Sequence, residues 1–146
     1  MDIKLENELI QKYPRVFKLA YNKYFKNWDN SEQRGPFSLF GIECDDGWFD
    51  LLNRLCEQVE ACINQAEDPD IYYVVQIKEK FGGLRFYMSS YTVELHNLIT
   101  PFEQEAEMTC EVCGCSGTNA ANKWRWWQTL CQECRSIKDA NLDKRF

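Results

Sequence analysis

The chain has 146 residues with 17 basic and 23 acidic side chains, a net charge of −6, and it is 45% apolar and 14% aromatic. This suits one compact domain, or a domain with a small appendage, and excludes wholesale disorder. No apolar run approaches the roughly 20 residues of a membrane-spanning helix, and the opening MDIKLENEL has neither the basic start nor the apolar stretch of a secretory leader, so the expected compartment is the cytoplasm.

In chain order, Leu5, Leu9 and Ile10, then Val16, Phe17, Ala20 and Tyr21, recur at helical spacing. Pro14 interrupts them, which predicts either two short helices or one that restarts with proline in its first turn. Residues 26–37 read as a polar loop ending in Gly-Pro, and Ser38–Ile42 as a short strand. The clearest helix follows, capped by Asp45 or Asp46 with Asp50 in its first turn, where the helix dipole favours a carboxylate. Trp48, Leu51, Leu52, Leu55, Val59, Cys62, Ile63 and Ala66 form its apolar stripe, with Cys56 at the edge, and Asp68-Pro69-Asp70 ends it.

Residues 71–91 read as a β-hairpin around a two-residue Gly82-Gly83 loop. Pairing Phe81 with Leu84 would set Tyr73, Val75, Ile77, Glu79, Phe81, Leu84, Phe86 and Met88 on one face. Lys78, Lys80, Arg85 and Tyr87 would take the other, and a slip of one residue would invert the assignment. Thr92–Ile99 is expected to be helical, and Thr100-Pro101-Phe102-Glu103 resembles a capping box that restarts the helix through Met108.

The eight cysteines fall into two groups. Cys44, Cys56 and Cys62 stand alone in apolar surroundings, where a thiol acts as a small hydrophobe. Cys110, Cys113, Cys131 and Cys134 form C-x2-C-x17-C-x2-C, in which each pair can fold into a tight knuckle presenting two sulfurs to one ion. The expectation is a single structural zinc ion on four thiolates, with no position left for a catalytic water. Zinc suits four soft thiolates without redox chemistry, and iron could occupy a similar cage. Cys115 is a spare thiol or an alternative ligand to Cys113.

Other residues are candidates for binding. Residues 41–70 carry nine acidic side chains against one basic, and Glu57, Glu60 and Glu67 lie off the apolar stripe, an arrangement that would attract a basic partner. Trp124, Trp126 and Trp127 lie between the knuckles; strand alternation would put the first two on one face and the third on the other. They either cover a ribbon too small for its own core or form an exposed platform, a partner hot spot or a base-stacking surface beside Lys123 and Arg125. Glu79 on the apolar hairpin face, with Arg85, is the main candidate for an enzymatic site. No phosphate-loop motif is present, and His96, the only histidine, stands without a partner motif.

Taken together, GIECDDGWFDLLNRLC, VVQIKEKFGGLRFYM and CEVCG…TLCQEC resemble a family of small uncharacterised bacteriophage and bacterial proteins. These carry a KEKFGGLRFY-type hairpin followed by a C-terminal four-cysteine zinc ribbon. The resemblance covers roughly residues 40–134. It implies this organisation and a phage context, with the host cytoplasm as compartment, and no catalytic role.

The resulting expectation is an α+β fold with helices on a small antiparallel sheet, divided into an α+β domain over 1–108 and a zinc ribbon over 109–146. Function is expected to be protein–protein interaction through Glu57, Glu60, Glu67, Trp124, Trp126 and Trp127, with a partner bearing a basic surface. A phage-encoded inhibitor of a host defence or nucleic-acid-handling protein fits this description. The alternatives are a nucleic-acid-binding ribbon, disfavoured by net charge, and an enzyme using Glu79 and Arg85. No membrane association and no catalytic residue are expected.

Overall fold

The computed structural model describes residues 1–25 and 40–145. The polar loop expected over 26–37 and the first two residues of the strand expected at Ser38–Ile42 lie outside the described residues. Among the described residues five α-helices and two small sheets give an α+β class. Helix α1 spans Ile3–Lys12, with the Asp2 carboxylate accepting from the Lys4 N–H at 2.8 Å. A turn around Pro14 leads to α2, Lys18–Phe25, so the proline separates two helices.

Strand β1, Ile42–Glu43, is short and runs parallel to β2. A 3₁₀ turn at Asp46–Trp48 then feeds α3, Phe49–Asn64, so neither Asp45 nor Asp46 caps this helix with its side chain. Asp50 does lie in its first turn. Leu51, Leu52, Leu55, Cys56, Val59 and Ile63 are buried along one stripe, with Cys56 fully inside rather than at the edge.

Strands β2 (Val74–Lys80) and β3 (Gly83–Met88) form the antiparallel hairpin, but Lys80 pairs with Gly83 and Glu79 with Leu84. The loop residues are therefore Phe81 and Gly82, at φ +53° and +78°, and not Gly82-Gly83. Two consecutive positive φ values give the mirror-image turn whose twist suits a hairpin, and Phe81 accepts the strain at its first position. Ile77, Leu84, Phe86 and Met88 keep the predicted core face. A bulge between Val74 and Gln76 shifts the register upstream, so Val74 is buried in place of the expected Val75.

Helix α4 runs unbroken over Val93–Ala106 with Pro101 inside it, and Thr92 caps it by accepting from the Leu95 N–H. The expected restart at Thr100 does not occur. Its hydroxyl instead donates to the His96 carbonyl at 2.9 Å, and the buried Leu95, Ile99, Phe102 and Ala106 hold the helix together across the proline. Leu9, Ile10, Phe17, Trp48, α3, the hairpin face and α4 share one core.

Two carboxylates tie the N-terminal helices to this core. Glu60 on α3 accepts from the backbone N–H groups of Arg15 and Val16 at 3.1 and 2.8 Å. Glu6 on α1 is buried and accepts from the Ile42 N–H at 3.2 Å. Burial pushes the Glu6 carboxyl above its ordinary value of 4.5, against the lowering effects of the Ile42 N–H and the N-terminal ammonium. A carboxyl with a raised folded-state pKa adds stability that is present below the unfolded pKa and lost as pH rises through the folded one. Glu6→Gln should therefore melt higher than the parent at pH 7–8, with the difference vanishing as the pH falls below about 4.5. Melting curves across this range check it, and a Gln variant equally or less stable at every pH would refute it.

Candidate metal centre

After α4 the chain forms a small ribbon. Strands β4 (Thr118–Ala121) and β5 (Trp127–Leu130) pair antiparallel, and helix α5 (Gln132–Asp143) closes it. The first knuckle is a turn in which the Gly114 N–H donates to the Cys110 carbonyl at 2.9 Å and the Cys110 N–H to that of Cys115 at 2.7 Å. Gly114 supplies the positive φ, +79°, that this reversal needs. The second knuckle is the start of α5: Cys131 is its N-cap, and its sulfur accepts from the Cys134 N–H at 3.4 Å. A helix N-terminus is a favourable setting for a thiolate.

These turns gather Cys110, Cys113, Cys131 and Cys134 so that their sulfurs all lie within 4.8 Å of one another. Cys113 and Cys131 sulfurs stand 3.7 Å apart, close to the roughly 3.8 Å edge of a tetrahedron with 2.3 Å zinc–sulfur bonds. Burial pushes the Cys110 thiol up, but backbone N–H groups of Cys131, Cys113 and Val112 outweigh it and pull the thiol down to about 7. Cys134 is pushed well up, first by its hydrogen bond to Cys131 and then by burial. Four thiols this close cannot all ionise without a cation among them. The donor set fits a metal ion such as zinc. Cys115 is exposed and outside this set, while burial pushes the Cys44 and Cys56 thiols up and leaves them inert.

The ribbon is docked at two places on the α+β body. At the first, the Gly47 N–H donates to the Glu111 carbonyl at 2.7 Å and the Asp45 N–H to the Glu111 carboxylate at 3.0 Å. The Trp48 indole N–H reaches the Thr109 carbonyl at 2.8 Å. A Cβ at position 47 would overlap the backbone of Cys110 and Glu111, so only glycine allows this approach. Glu111 is 5% exposed; burial pushes its carboxyl up to about 7 against the pull of the Asp45 N–H. At the second, the Thr129 hydroxyl donates to the Gly82 carbonyl at 2.6 Å and the Asn119 amide to that of Phe81 at 3.3 Å. Arg135 braces the ribbon from within, donating to the carbonyls of Thr118, Ala120 and Gln128.

The remaining predicted residues are scattered. Glu57 and Glu67 are exposed, whereas Glu60 is committed to residues 15–16. Glu79 accepts from the Gly82 N–H at 2.6 Å and closes the hairpin turn, and Arg85, paired with Lys78 in the register, faces the other way and donates to the Leu84 carbonyl. They share no site. Only Trp127 of the three tryptophans lies on a strand; Trp124 and Trp126 sit in the hairpin tip, where the Asn122 side chain accepts from both of their N–H groups. Strand alternation therefore does not apply to them. Trp124, Trp126 and Trp127 are 37%, 57% and 46% exposed, and the exposed Phe81 joins them along a recess of about 440 Å³ with Glu79 and Arg125.

The fold and site define a small α+β protein with a four-cysteine centre near its C-terminus. Comparison with protein-family models, curated proteins and solved structures returns no match. Among the described residues no helix is long and apolar enough to cross a membrane.

Proposed function

We propose that the chain is a non-catalytic binding module: one structural zinc ion on Cys110, Cys113, Cys131 and Cys134 stiffens a ribbon whose tip offers Trp124, Trp126 and Trp127 to a protein partner. The carrying observation is the outward placement of three indoles on a ribbon braced by Arg135 and docked at two points. Large aromatic rings on a rigid support are typical of interface hot spots, since little entropy is lost when they are covered. Four thiolates leave the metal no open position, and Glu79 and Arg85 serve local backbone groups on opposite faces. The exposed Glu57 and Glu67 add long-range attraction for a basic patch on the partner. The resemblance to phage proteins supports a host protein as that partner, met in the host cytoplasm.

Photo-cross-linking from position 123 in cells tests this. One protein should cross-link, and Trp126→Ala should weaken its binding by about 2 kcal/mol, roughly 30-fold, with the melting temperature unchanged. Unchanged binding in all three single tryptophan-to-alanine variants would refute it. A second reading, single-stranded nucleic acid, is favoured by Lys123 stacked 4.4 Å from the Trp124 ring and Lys80 5.6 Å from that of Phe81. It requires binding that weakens steeply with salt.

A further inference from the structure

The Trp126 indole is a ridge with a recess on each side. Beyond it from Phe81, residues Gln128, Lys138, Asn141, Leu142 and Arg145 complete a second recess of about 320 Å³ between the ribbon hairpin and α5. None of these residues belongs to the metal centre. The lining combines three chemistries: Trp126 and Leu142 form an apolar wall, Gln128 and Asn141 bring amides that both donate and accept, and Arg145 brings positive charge beside the ion-paired Lys138.

Among the described residues no carboxylate lines the recess. Asp45 pairs with Lys138 at 3.1 Å and offsets its charge, while Asp143 pairs with Lys123. Arg145 has no ion pair among the described residues. Its guanidinium is exposed at the rim of the recess. It matches a carboxylate, which a guanidinium binds in fork geometry.

We propose that this recess receives a short acidic segment of the partner protein, an apolar anchor residue flanked by Asp or Glu. The anchor packs on Trp126 and Leu142, the segment's backbone meets Gln128 and Asn141, and its carboxylate meets Arg145. This deepens the reading of the ribbon as a protein-binding surface and rests on it. A short segment brings only one or two negative charges to this cationic spot, whereas a nucleic acid strand would bring many into the field of a strongly acidic protein. The amide pair is likewise suited to a peptide backbone. The acidic band over 41–70 has the opposite sign and selects its own complement, so the two together orient one partner.

The test is selection of a random dodecapeptide display library, and in parallel a random single-stranded DNA pool, on the metal-loaded full chain. Enriched peptides should carry net negative charge around an apolar residue. Arg145→Glu should lower their binding by about tenfold or more, the loss of one charge-assisted pair, without changing the melting temperature. Lys4→Glu, the same kind of charge change at an exposed position of α1, should leave it intact. Enrichment of basic or uncharged peptides, or of none, overturns the proposal, as does DNA enrichment lost in Arg145→Glu. If the recess fails while Trp126-dependent cross-linking persists, the protein-binding reading survives and only the acidic segment falls.

Discussion

Stripping the metal from the four-cysteine centre is expected to unfold the ribbon over residues 109–145 while most of the α+β core persists. The ribbon has little interior of its own: besides Cys110, only Glu111, Thr129 and Leu130 are buried in it, and α5 has no buried residue. Its cohesion must come from the ion and from its docking contacts. Structural zinc in peptides of this size contributes on the order of 10–16 kcal/mol of apparent folding free energy, far more than so small a core supplies. Elemental analysis should find one zinc per chain. Chelation, or Cys110→Ser, should remove it, abolish amide-exchange protection over 118–130, and redden and quench the tryptophan emission. The core of Leu9, Leu52, Ile77, Phe86 and Ile99 does not depend on the ion, so protection in α3 and β2–β3 should survive. Full ribbon protection in metal-free protein would sink the structural-metal assignment.

Trp48→Ala is expected to be the most damaging single substitution outside the metal ligands. Trp48 is fully buried in the shared core, and its indole N–H is a direct bond to the ribbon. Truncation should cost about 3–5 kcal/mol by denaturant unfolding. It should also speed zinc loss to a competing chelator, because the Asp45–Trp48 turn that holds Glu111 and Thr109 loses its anchor. Trp48→Phe separates the two roles: it keeps most of the ring volume and removes the indole N–H, at about 1–3 kcal/mol, leaving the Thr109 carbonyl unpaired. If chelation kinetics are unchanged in both variants, the first docking contact does not support the metal centre.

How far the sequence reached depends on how local each signal was. The α3 stripe repeats its apolar residues at one helical period, and that pattern specifies both the element and its buried face. The hairpin was legible as an element, but its turn was displaced by one residue, because Gly-Gly is a stronger turn signal than Phe-Gly. The choice was made by the ribbon, whose Thr129 and Asn119 grip the carbonyls of Gly82 and Phe81. Pro101 read as a helix boundary; burial of Ile99, Phe102 and Ala106 against α3 and β3 outweighed the lost hydrogen bond.

Of the functional residues, the sequence alone determined Cys110, Cys113, Cys131 and Cys134, because two C-x2-C pairs carry their geometry in the local backbone and need only be brought together once. It could not determine what Asp45, Gly47, Trp48 and Glu111 do, since 61 or more residues separate Trp48, Asp45 and Gly47 from their partners on the first knuckle, and no spacing encodes such contacts. Nor could it tell whether the tryptophans face inward or outward: their exposure follows from Asn122 tying the hairpin tip and from the body already having a filled core. The recess beside Trp126 is equally a product of packing, made where Trp126 and Gln128 of the hairpin meet Lys138, Asn141, Leu142 and Arg145. Short-range patterns named the four clustered cysteines; only long-range packing decided which side chains were left at the surface.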